Sequence, residues 1–225
     1  MKATVVGENY EAILPLLQAA GFEIVEAGPE FVISYGGDGT LVKSEHLFPG
    51  VPKIVLKNSA VCKKCSALGN DEVLARVARR EYKVEELLKL EARFGEKKLV
   101  ALNDVIVHNA DPRHAIRYEL LVNGRSVAGE VIGDGVVVAT PFGSTAYYRS
   151  ITDSFFEVGI GVAFNNSTEP SDHLILKEES LIKVKIARGP AVVYADNWED
   201  SIEIGEGDEM VIQKAAETAK IVTIN

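Results

Sequence analysis

Along roughly the first eighty residues, short continuous apolar runs alternate with one-sided helical stripes. Residues 3–6 read as a strand. Tyr10, Ile13, Leu14, Leu17 and Ala20 then recur at helical spacing up to Gly21, and Pro15 inside that stripe delays or bends the helix. Residues 22–25 and 31–34 give two more strands. Residues 41–48 suit a helix of about two turns, ended by Pro49-Gly50 and Pro52. Residues 53–56 form a fourth strand. Residues 71–80 carry Val73, Leu74, Val77 and Ala78 on one face and predict another helix. Buried apolar strands alternating with helices predict an α/β domain with a parallel sheet.

Near residue 88 the period changes to two. Leu88, Leu90, Ala92 and Phe94 alternate with Lys89, Glu91, Arg93 and Gly95, although residues 85–89 also suit a helix. From there the chain reads as β-structure: residues 99–108, 116–122 and 126–132, then 136–139, 157–164, 180–187, 191–195 and 209–213. Asn123-Gly124 between two alternating runs predicts a hairpin, because a type I′ turn needs positive φ at both central residues. The division falls near residue 97, giving an α/β domain over 1–97 and a β-rich domain over 98–225, with the site expected in the cleft between them.

Composition narrows the function classes. With 225 residues, 47% apolar and 25% charged, the chain has the make-up of a globular protein. Its net charge of −9 argues against a general nucleic-acid binder, whose phosphate contacts require a basic surface. No apolar run reaches the ~20 residues that span a bilayer. The opening residues enter a strand pattern without a signal-peptide layout, so the expected setting is cytoplasmic, with no membrane partner. Cys62 and Cys65 form one Cys-x-x-Cys, which fits half a zinc site, a redox pair or neither. Without a second Cys/His pair or a thioredoxin-like context, two free thiols are expected.

Candidate chemistry concentrates in two stretches. Gly36-Gly37-Asp38-Gly39-Thr40 follows the third strand. Its glycines allow a sharp turn with exposed N–H groups, and Asp38 is its one proton acceptor. Equally compatible is a plain strand–turn–helix connection with Asp38 as N-cap. In the second stretch, Thr140-Pro141-Phe142-Gly143-Ser144-Thr145-Ala146-Tyr147, Ser144 can cap a short helix whose N–H groups, hydroxyls and aromatic ring suit a ribose and base. A capped helix with Tyr147 in the core is the alternative.

These two stretches, with Ala101-Leu102-Asn103-Asp104 and Gly133-Asp134-Gly135 between them, occur in the order and approximate spacing of the NAD kinases, which the chain resembles best between residues 31 and 150. The glycine–aspartate loop is shared with lipid kinases and the wider phosphofructokinase-like group. The Asn-acidic pair and the Gly-Ser-Thr-Ala-Tyr segment narrow the match. The resemblance implies an α/β domain followed by a β-sandwich-like domain, and transfer of a phosphoryl group from ATP or polyphosphate, with Mg²⁺, to the 2′-hydroxyl of the adenosine ribose of NAD. Asp38 would be the base. Gly36, Gly37, Gly39 and Thr40 would line the donor phosphates. Asp38, Gly39, Asn103, Asp104, Asp134, Thr145, Ala146, Tyr147, Ser150 and Asn197 would hold NAD, with Asp196 as a further candidate. Homodimers or homotetramers are implied as well.

The chain departs from the family where an Asn-x-Gly-x-x-Gly-Phe segment is usual. Residues 58–65 lack both glycines and the phenylalanine, and offer Lys57, Lys63 and Lys64 instead. Either these form a solvated basic loop, or Lys63 and Lys64 supply phosphate contacts. Phe142 replaces a Thr or Ser, and residues 151–156 and 164–168 also diverge. Two other readings follow: a non-catalytic dinucleotide-binding protein, or a kinase of the same fold acting on another hydroxyl.

Overall fold

A computed structural model of the chain describes residues 1–60, 62–169 and 172–224. Val61, in the divergent segment, lies outside them. The chain forms two compact units, Met1–Leu87 with Thr218–Asn225, and Leu88–Glu217.

The first unit is built on a six-stranded sheet. Its strands are β1 (Lys2–Gly7), β2 (Glu23–Ile24), β3 (Phe31–Gly36), β4 (Lys53–Lys57), β5 (Lys83–Leu87) and the last strand of the chain, β18 (Ala219–Thr223). Their order is β2-β1-β3-β4-β18-β5. All pairs are parallel except that of β18 with β5. The unbroken burial of residues 32–34 and 53–56 is what a sheet covered on both faces demands. Helix α1 (Leu14–Ala19) follows a 3₁₀ turn (Tyr10–Ile13), with Pro15 in its first turn, where a missing N–H costs nothing. Ile13 and Leu17 share a core with Ile33, Ile54 and Leu56, and with Val73, Leu74 and Val77 of α3 (Asn70–Ala78). Helix α2 (Asp38–Leu47) leaves β3 directly and packs on β3, β1 and β4. Fully buried Lys53 of β4 pairs with Glu45 of α2 and donates to the Phe48 carbonyl at 2.7 Å, which ties the helix end to the sheet.

The second unit is a β-sandwich-like body. Its strands are β6 (Leu90–Phe94), β7 (Lys97–Ala101), β8 (Asp104–Asn109), β9 (Ile116–Val122), β10 (Arg125–Gly133), β11 (Gly135–Ala139), β12 (Ile160–Asn165), β13 (His173–Leu176), β14 (Ile182–Arg188), β15 (Ala191–Ala195), β16 (Ser201–Ile204) and β17 (Glu209–Lys214). They make two antiparallel sheets, ordered β10-β9-β14-β17-β6-β7 and β13-β12-β11-β8-β15-β16. One apolar core joins them, with Leu90, Tyr118, Val184 and Met210 from the first sheet and Val105, Val136, Val162 and Val193 from the second. Helix α4 (Tyr147–Thr152) packs on β11 and β12. The hairpin turn has φ 51° at Asn123 and 77° at Gly124, the signs its sequence required.

The structure differs from the expected layout in four places. Residues 88–97 belong with the β-rich unit, because β6 pairs with β17 and β7. The C-terminal residues return to the α/β unit, because β18 inserts between β4 and β5. That pairing also makes residues 83–87 a strand and not a helix. The stretch 99–108 is two strands, β7 and β8, interrupted at Leu102-Asn103. Among the described residues, no helix is long and apolar enough to cross a membrane.

Candidate active site

In the parallel sheet, β1, β3 and β4 lie side by side and end together, so the loops at their carboxyl ends surround one space. A cavity of about 750 Å³ is lined there by Glu8 and Asn9 after β1, Tyr35 and residues 36–40 after β3, Lys43 of α2, and Asn58 and Ser59 after β4. Asn9 takes a left-handed φ of 53°. Asn58 joins the loops, its N–H donating to the Gly36 carbonyl at 3.3 Å and its side-chain amide to the Glu8 carbonyl at 3.4 Å. At Gly36 any Cβ would overlap the Thr40 side chain, so the turn can fold back on itself only with glycine there.

Asp38 is the first residue of α2. Gly37 is the N-cap and no side chain caps the helix, which corrects the capping alternative. The Asp38 carboxylate instead accepts a hydrogen bond from the Lys63 main-chain N–H at 2.8 Å. The Thr40 N–H closes on the Gly37 carbonyl at 3.1 Å, whereas the N–H groups of Asp38 and Gly39 precede any intrahelical acceptor and favour negative charge. Lys43 is the cavity's ammonium, and Glu8 and Asp38 are its carboxylates. Of the two lysines singled out from sequence, Lys64 pairs with Glu85 at 3.0 Å and Lys63 contributes its backbone to Asp38. Cys62 and Cys65, expected as free thiols, are bridged. The turn through Lys63 and Lys64 brings their Cα atoms to 5.4 Å, within reach of a disulfide.

The remaining predicted residues lie in the β-sandwich unit, where β8 sits between β11 and β15. The Leu102-Asn103 break is built from both neighbours. The Asp196 carboxylate accepts the N–H groups of Leu102, Asn103 and Asp104 at 2.9, 2.7 and 3.3 Å. From the β11 side, the Thr140 hydroxyl donates to the Leu102 carbonyl at 2.6 Å and the Thr140 N–H to that of Asn103 at 2.8 Å. Gly143 lies so close to the Asn103 carbonyl that a Cβ would overlap it. Asp104 is 4% exposed. Its burial, and then the nearby Asp196 charge, raise its carboxyl from 3.8 to about 7.

Ser144 does not cap a helix. Its hydroxyl donates to the Pro141 and Phe156 carbonyls within a 3₁₀ turn (Gly143–Thr145), and α4 starts later, after Ala146. The buried Thr145 hydroxyl has no hydrogen-bond partner. Tyr147 is half-buried, and its hydroxyl accepts the Asn165 amide at 3.0 Å; Tyr148 is the aromatic residue in the core. Ala146 is exposed, and Ser150, exposed too, donates back to the Tyr147 carbonyl at 2.7 Å. Asp134 stands at the other end of β11 from Thr140, roughly 20 Å away at the usual strand rise. The side-chain amides of Asn109 and Asn166 hold its carboxylate at 3.3 and 3.0 Å. Asn197 is exposed in the turn that buried Asp196 begins.

Glu8, Asn9 and Lys43 escaped the sequence reading, because nothing local marks the loop after β1 or the second turn of α2 as lining a site. Thr140 and Asn103 were both in view, but only the β8–β11 pairing makes them one turn.

Among the described residues, no group of three or more His, Cys, Asp or Glu could by itself hold a metal ion. Such a set is not needed for Mg²⁺, which binds through one or two carboxylates together with a substrate's phosphates. Asp38 and Glu8 fit that mode.

The chain is similar to known proteins in sequence and in fold. The family described as ATP-NAD kinase C-terminal domain matches residues 102–224, more than half of the chain. An NAD kinase of Methanothermobacter thermautotrophicus is 28% identical over 94% of this chain and 78% of its own length. A bifunctional NADP phosphatase/NAD kinase of Methanococcus maripaludis is 29% identical over 85% of the chain, which spans 36% of that protein. The solved structure of an NAD kinase from Archaeoglobus fulgidus in complex with ATP superimposes with a TM-score of 0.81 at 22% identity, covering 98% of this chain and 93% of that one. In sequence and in fold, then, this chain belongs to the NAD kinase family of enzymes.

Proposed function

We propose that the chain is an NAD kinase that transfers a phosphoryl group from ATP or polyphosphate to the 2′-hydroxyl of the adenosine ribose of NAD, giving NADP. The observation that carries this reading is Asp38 at the carboxyl edge of a parallel sheet, in one cavity with the start of α2 and Lys43. Asp38 accepts the proton of the attacking hydroxyl through the carboxylate oxygen that Lys63 leaves free. Residues 36–40 receive the donor phosphates on main-chain N–H groups. Bound with the donor, Mg²⁺ supplies charge neutralisation on the transferring group, the main chemical need of phosphoryl transfer. In the other unit, Asn103, Asp104 and the segment Thr145-Ala146-Tyr147 take the dinucleotide, with Asp134, Ser150 and Asn197 as further contacts. ATP as donor is supported by the family description and by the ATP complex of the Archaeoglobus fulgidus enzyme. We assign the enzyme to the cytoplasm, as a homo-oligomer.

The test incubates the purified chain with NAD, Mg²⁺ and either ATP or polyphosphate and measures NADP. Asp38→Asn is expected to lower turnover by about 10²–10⁴-fold with NAD binding retained. Full activity in that variant would remove Asp38 from the role of base. NAD binding without NADP formation in the unaltered chain would favour the non-catalytic reading.

A further inference from the structure

The loop joining β4 to α3 is pinned at its base. The Asn70 side chain accepts the Lys57 N–H at 2.9 Å and donates to the Lys57 carbonyl at 3.0 Å. Within it, the Cys62–Cys65 bridge closes a four-residue turn, and this turn holds the Lys63 N–H 2.8 Å from the Asp38 carboxylate. On its far side, the Cys65 sulfur lies 3.9 Å from the Gly36 carbonyl oxygen. Both cysteines are partly exposed. The one disulfide among the described residues therefore sits one residue from the hydrogen bond that orients Asp38.

We propose that the Cys62–Cys65 disulfide is a thiol-exchange site, taking a dithiol reductant, that positions Asp38 through the Lys63 amide. This rests on Asp38 acting as the base. A thiolate of the dithiol attacks one bridge sulfur, forms a mixed disulfide and expels the other cysteine as thiolate. The second thiol then closes on the first. Two electrons and two protons pass to the protein, which gains two thiols, and the reductant leaves as its own disulfide. Opening the bridge frees Lys63 and Lys64 from the turn, so the Lys63 N–H no longer fixes the carboxylate. A hydrogen bond to a charged group is strong enough for its loss to be read in turnover. Cys62, Lys63 and Cys65 are positioning residues, and the oxidised state is the one in which the base is oriented. Disulfides in reducing compartments are usually transient and redox-sensing, which suits a bridge this accessible.

The experiment compares the chain before and after dithiothreitol. It counts titratable thiols, follows hydrogen exchange at the Lys63 amide, and measures NADP formation; the Cys62→Ser/Cys65→Ser variant is carried in parallel. The expected result is none and then two thiols per chain, loss of Lys63 protection on reduction, and a fall in kcat of about 10-fold with KM for NAD little changed. The double variant should match the reduced chain with or without the dithiol. Equal Lys63 protection in both states overturns the proposal, as does unchanged kcat once two thiols have appeared. So does a double variant that still responds to dithiothreitol. If neither state makes NADP but Lys63 protection follows the bridge, the assigned reaction fails while the bridge's hold on Asp38 stands.

Discussion

Asp104 gives the sharpest quantitative test. Its carboxyl is 4% exposed and stands near Asp196, and it is raised from 3.8 to about 7. Because its pKa is higher folded than unfolded, the folded chain binds this proton more tightly. The resulting stabilisation is complete below about pH 4, is lost as pH rises toward 7, and then levels off. At about 1.4 kcal/mol per unit of pKa difference, the total loss is roughly 4 kcal/mol, of which about 2–3 kcal/mol falls between pH 5 and pH 8. Asp104→Asn keeps the shape and removes the charge, so the variant should lack this slope. Its stability relative to the unaltered chain should be higher by about 2–3 kcal/mol at pH 8 than at pH 5. The assay is urea unfolding at both pH values followed by fluorescence of Trp198, the single tryptophan, which lies in the same unit as Asp104. An equal difference at the two pH values would refute the reasoning, and so would a relative gain by the unaltered chain as pH rises.

Gly143→Ala puts a methyl group into the Asn103 carbonyl, and should destabilise the second unit by about 1–3 kcal/mol in the same Trp198 assay. It should also raise KM for NAD by displacing the Asn103-Asp104 turn. Lys53→Met removes one partner of a fully buried ion pair and leaves the Glu45 carboxylate in the interior. A loss of about 3–5 kcal/mol is expected, measured by calorimetry on the first unit's transition.

Much of this protein was legible because local physics and tertiary structure ask for the same thing. Continuous apolar runs at 32–34 and 53–56 marked strands buried on two faces, and Asn123-Gly124 marked its hairpin. Gly36 to Thr40 marked a turn that folds back so that the Thr40 side chain leaves no room for a Cβ at Gly36. The motifs were separately visible for the same reason, since each is a short segment whose residue types are dictated by its own turn. Edge strands β13 and β16 were not visible. Each has only four residues, too short for its pattern to stand out, and β18 is a strand only because β4 and β5 are there to receive it. A single long run at 99–108 concealed the break at Leu102-Asn103, because neither Asp196 nor Thr140 is near it in the chain.

The sequence by itself determined the fold class, the glycine–aspartate turn and the list of polar residues that chemistry could use. Only the tertiary structure decided which of them share a wall. It placed Lys43, Glu8 and Asn9 around Asp38 and made Asp196 the anchor of the Asn103-Asp104 turn. It also turned Cys62 and Cys65 into a bridge beside the base. Hydrogen bonds spanning 25 and 94 residues tie Asp38 to Lys63 and Asp196 to Leu102, and no local pattern encodes a partner at that distance.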